Sequence, residues 1–116
     1  MDKYSILLIK KEFINDSTKI KYINTEIEYL LDNVNLIKKN FNIDALFSEL
    51  IKINKKLWVI EDEIRLKEKE KQFDKEFIEL ARSVYHTNDL RAKIKNEINE
   101  ETNSKIYEVK SYEKYN

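Results

Sequence analysis

Apolar residues in this chain recur at alternating steps of three and four. Ile20, Ile23, Ile27, Leu30, Val34, Ile37 and Phe41 form one such row, and Leu46, Leu50, Ile53, Leu57, Ile60 and Ile64 form a second. Phe77, Leu80 and Val84 begin a third row, which Thr87, Arg91, Ile94 and Ile98 continue. This is the spacing of one face of an α-helix, so each row predicts a helix with a single buried seam. Thr87 and Arg91 stand where the third seam calls for apolar side chains. Before the first row, residues 2–14 are apolar on most sides, which suits a short helix held in a groove between others. After residue 103 the rhythm fades. Ile106, Tyr107, Val109 and Tyr112 read as an extended tail laid on the helices.

Start signals agree with the rows. Asp16 and Asp74 stand where a carboxylate can accept from the first free N–H groups of a helix, and Asn42 is placed to do the same for the second long helix. Phe41 with Leu46, and Phe73 with Ile78, have the spacing of hydrophobic staples. The run 66–72 is almost free of apolar side chains and reads as the solvated tip of a hairpin. Helices of nearly 30 residues would be about 45 Å long. That exceeds the roughly 35 Å span of a compact globule of this length, so an elongated molecule is expected. Glu63 with Lys67, and Asp89 with Lys93, have the order and spacing of stabilising pairs along one helix.

Composition narrows this to an all-α fold. The 116 residues include no glycine and no proline. Helices therefore run without breakers, while phosphate-cradling glycine loops and glycine-assisted hairpins are excluded. The expected architecture is a single domain, residues 1–116: an elongated antiparallel helical bundle with a short first helix, three long helices including a long hairpin, and an extended C-terminal tail. With no cysteine there is no disulfide, thiolate metal site or cysteine nucleophile. The 22 basic and 22 acidic residues balance, so no global field draws the chain to nucleic acid or to an acidic membrane. The longest apolar run, Ile6 to Ile9, is far too short to span a bilayer, and a cytoplasmic setting is expected.

Candidate chemistry concentrates in residues 58–92. All three arginines lie there (Arg65, Arg82 and Arg91), with the single tryptophan, Trp58, and the single histidine, His86. Folding the hairpin near residue 73 sets Arg82 opposite Arg65. It sets Tyr85 and His86 opposite Glu61 and Asp62, and Asn88 and Arg91 opposite the stretch around Trp58. Two readings follow for Trp58, Glu61, Asp62, Arg65, Arg82, Tyr85, His86, Asn88 and Arg91. One is a polar network in which Arg82 and Arg91 pair with Glu61 and Asp62 and set helix register. The other is a small anion-binding or enzymatic module for phosphate, a nucleotide or a sugar nucleotide, with arginine forks on the anion and an aromatic ring to stack. No triad is legible around His86, so no catalytic residue is assigned. Glu76/Glu79 and Glu97/Glu100 form two ExxE pairs, but the ExxD partner that a metal-dependent pyrophosphohydrolase would supply is missing. No metal and no cofactor are expected.

Several stretches carry a resemblance: DKYSILLIK at 2–10, LWVIEDEIR at 57–65, FIELARSVY at 77–85, TNDLRA at 87–92 and EVKSY at 108–112. Together they resemble a family of short, uncharacterised bacterial and phage proteins of unknown function, while residues 16–56 share only the helical pattern. The resemblance implies no activity. The expected function is therefore non-enzymatic binding or assembly as a homo-oligomer, a dimer in the simplest case, with an unidentified protein as a further possible partner. Two seams and an apolar first helix offer more hydrophobic surface than one slender hairpin covers.

Overall fold

The computed structural model describes residues 1–102, and these form four helices: α1 (Asp2–Phe13), α2 (Ser17–Asn40), α3 (Asp44–Lys69) and α4 (Lys75–Glu101). The C-terminal tail expected from Ile106, Tyr107, Val109 and Tyr112 lies outside the described residues. Asp16 caps α2 as expected, its carboxylate accepting from the Thr18 and Lys19 amides. Asp74 caps α4 through the Phe77 amide. Asn42 does not cap α3. The N-cap is Ile43, one residue later, and no side chain accepts there. Ile43 is instead fully buried, so apolar burial rather than a polar cap sets the start of this helix. The staple expected between Phe73 and Ile78 is also absent: both are largely exposed, and Phe73 meets Phe77 edge-on at 5.2 Å.

Helix α3 carries on past Leu66 to Lys69, through most of the segment read as the hairpin tip. Lys67 does not serve Glu63 on its own helix. Its ammonium reaches across the turn to Asp74 and Glu76 at 3.0 and 2.9 Å. The turn ends α3 in a left-handed residue, Lys71, with φ 56°. The Gln72 amide donates to the Lys67 carbonyl and the Lys71 amide to that of Glu68, the paired pattern that closes many helices. Glycine ordinarily fills that position, and this chain has none.

The principal packing runs from α2 to α1, from α1 to α3, and from α3 to α4. The short first helix thus lies between the two long helices that follow it, as its apolar circumference requires. Contacts between α1 and α3 climb in step: Tyr4 stacks on Phe47, and Phe13 stacks on Trp58, each pair with ring centres 5.8 Å apart. The molecule measures 48 × 41 × 22 Å with a radius of gyration of 16.3 Å. A compact domain of this length would have about 13 Å. The short dimension is about two helix diameters, so the bundle is drawn out into a flat array.

Every member of the three seams is buried or half-buried, Thr87 and Arg91 included. Leu50, Ile94 and Ile98 form the core between α3 and α4, flanked by Met1, Leu46 and Ile53. Helix α4 is continuous through 87–89. The seams close within the chain, while Tyr22, Tyr29, Leu36 and Val59 remain exposed on other faces of α2 and α3.

Candidate functional site

Arg91 has a partner on the first helix, and that partner is Asp2. The guanidinium donates to both carboxylate oxygens, from Nε at 3.3 Å and from a terminal nitrogen. Lys95, one turn along α4, stands 3.7 Å from the same carboxylate. From α3, Asn54 Nδ2 donates to Asp2 Oδ1 at 3.0 Å and to Ser5 Oγ at 2.7 Å. Ser5 in turn donates to the Asp2 carbonyl at 2.7 Å. Burial alone would raise the Asp2 carboxyl. Hydrogen bonds from Arg91 and Asn54, with the charges of Arg91 and Lys95, outweigh it and hold the group below its ordinary value. Asp2 therefore stays ionised and ties α1 to both helices of the hairpin.

The arginine network expected within the hairpin does not form in that way. Arg91 pairs with α1 rather than with Glu61 or Asp62, because the apolar first helix occupies the flank of α3 and brings Asp2 within reach. Arg65 pairs with Asp62 on its own helix at 3.7 Å, and both side chains are exposed. Arg82, Tyr85 and His86 also lie on the exposed side of α4. The nine candidates thus divide. Trp58, Glu61, Asn88 and Arg91 are brought together around one cleft, while Asp62, Arg65, Arg82, Tyr85 and His86 are outward-facing.

That cleft has a volume of about 280 Å³ and lies between α1, α3 and α4. Trp58 forms one side, half-buried and backed by Phe13. Asn54, Leu57, Lys10, Ile6 and Ile9 complete the lining. Asn54, Asp2 and Ser5 were not singled out in the sequence, although a signal existed: Ser5 interrupts an apolar run from Tyr4 to Ile9, and Asn54 sits beside the seam residue Ile53. Among the described residues no group of three or more carboxylate, histidine or cysteine side chains is arranged to hold a metal ion. No helix there is long and apolar enough to cross a membrane.

No curated protein and no solved structure matches the chain. A match to a family with no known function covers residues 1–115, nearly the whole sequence and every element described above. The chain accordingly belongs to DUF6165, a family of unknown function.

Proposed function

We propose that this protein works by binding, as a homo-oligomer, rather than by catalysis. The observation that supports this reading is the second face of α2. Thr18, Tyr22, Thr25, Tyr29, Asn33, Leu36 and Asn40 follow one another at steps of three and four, and all are exposed. None is charged, in a chain whose residues are 38% charged. Tyr22, Tyr29 and Leu36 recur every seventh residue and are 69%, 84% and 58% exposed. A charge-free stripe with tyrosines at heptad spacing is the composition of a helix–helix contact, where charge is depleted and aromatics are enriched. The three large side chains offer roughly 400 Å² per copy, about half of what a standard interface buries on each partner. The intervening threonines and asparagines extend the contact to the full length of the helix.

Light scattering on a gel-filtration column tests the proposal. The expected mass is twice the 14.1 kDa of the chain. Tyr29→Lys should return the protein to a monomer with its helical circular dichroism unchanged, because Tyr29 contributes little to the fold. A clean monomer of the unmodified chain at tens of micromolar sinks the proposal. A simple anion site on Arg65, Arg82, Arg91, Tyr85 and His86 has less support, since Arg91 is already neutralised by Asp2 and Arg65 lies beside Asp62.

A further inference from the structure

We propose that the cleft between α1, α3 and α4 binds a small zwitterion: an α-amino acid with an apolar side chain. The inference is independent of the assembly proposed for α2, which lies on another surface. A volume of about 280 Å³ is at the low end for small-molecule sites and suits a ligand the size of one amino acid.

The inner wall carries the most informative group. Asn54 is only 6% exposed, yet its hydrogen bonds are one-sided. Its Nδ2 donates to Asp2 and Ser5, and its Oδ1 accepts from no described residue. A buried carbonyl left without a donor carries a penalty of about 1–3 kcal/mol, and Asn54 lines the cleft. A ligand N–H there would meet that need. Arg91 is complementary: Nε and one terminal nitrogen serve Asp2, and the other terminal nitrogen keeps its donors. Lys10 adds a second cation from α1, Glu61 supplies the carboxylate from α3, and Leu57 and Trp58 supply an apolar wall.

These groups discriminate among ligand classes by charge. A plain anion meets Lys10 and Arg91, but Glu61 and the Asn54 carbonyl oppose it, and Asp2 has already neutralised Arg91. A plain cation meets Glu61 but is repelled by Lys10. A molecule bearing both charges satisfies the whole set. Its carboxylate accepts from Lys10 and the spare nitrogen of Arg91, and its ammonium donates to Glu61 and to Asn54 Oδ1. The side chain packs on Leu57 and Trp58. Charge-assisted hydrogen bonds of this kind are the stronger class.

Trp58 is the only tryptophan, so its emission reports on this cleft alone. The full chain is titrated with L-leucine. A saturable change in emission is expected, and it should weaken by about tenfold or more in Glu61→Gln and in Lys10→Gln. Neither side chain makes an ion pair in the described fold, so both variants should keep the parent melting temperature. Leucinamide, which lacks the carboxylate, and isocaproate, which lacks the ammonium, should leave the emission unchanged. Equal binding of either analogue overturns the proposal. So does a response to glucose in place of leucine, or no response to leucine at about 10 mM, already beyond millimolar affinity.

Discussion

Asp2, the first residue of α1, is held by Arg91 of α4 across 89 positions of sequence. Both side chains are largely shielded, at 20% and 25% exposure. Removing one member of such a pair strands the other, which costs 3–5 kcal/mol when burial is complete. For this partly shielded pair, Arg91→Gln should lower the unfolding free energy by about 2 kcal/mol. Asp2→Asn should do the same. The double variant should lose clearly less than the sum, because the second change removes the stranded partner. Urea unfolding measures all three, and strict additivity would show that the pair is not coupled.

The same carboxylate sets the response to acid. Asp2 is held below its ordinary value, and so is Asp74, by the Phe77 amide and the Lys67 ammonium. A carboxylate with a depressed folded-state pKa contributes stability that is complete above the unfolded value. That stability is lost as pH falls through the folded value. These two carboxylates should therefore make the urea midpoint fall as the pH drops below about 4. In Asp2→Asn the acid limb should be shallower, since one of the two groups no longer takes up a proton on unfolding. An unchanged limb would assign the acid response to other carboxylates.

Lys71 takes the left-handed conformation that ends α3, with φ 56°. A side chain there places Cβ against the following carbonyl, a strain glycine does not have. Lys71→Gly should raise stability by about 0.5–1 kcal/mol, part of the gain being offset by the greater freedom of glycine in the unfolded chain. Thermal unfolding reads the difference. A lower melting temperature would mean that the lysine makes a contact that matters more than the backbone strain.

Thr87 is 2% exposed in the seam between α3 and α4, and its hydroxyl makes no hydrogen bond among the described residues. Replacing an unsatisfied buried hydroxyl by a methyl of the same shape removes a desolvation penalty. Thr87→Val should raise stability by about 1 kcal/mol. A loss of stability in this variant would reveal a partner for the hydroxyl.

The helices could be read from the chain because their causes are local. The row Ile20 to Phe41 and the row Leu46 to Ile64 turn one face inward whatever lies opposite, and Asp16 and Asp74 cap through amides two or three residues away. Asn42 does not cap because two effects compete at that point, and burial of Ile43, a tertiary effect, decides where α3 starts. The candidate site was legible only in part. Helical spacing marked Trp58, Glu61, Asn88 and Arg91, but nothing near Arg91 in sequence points to Asp2.

Helicity and the position of the seams are written into short stretches of the chain, since helix formation and amphipathic spacing are properties of a few successive residues. The tertiary structure decided which helices meet. It placed α1 between α2 and α3, brought Asp2 and Ser5 to Asn54 and Arg91, and left Tyr22, Tyr29 and Leu36 facing outward. Those outcomes depend on which apolar faces cover one another across the chain, and spacing within a single helix carries no record of its neighbour.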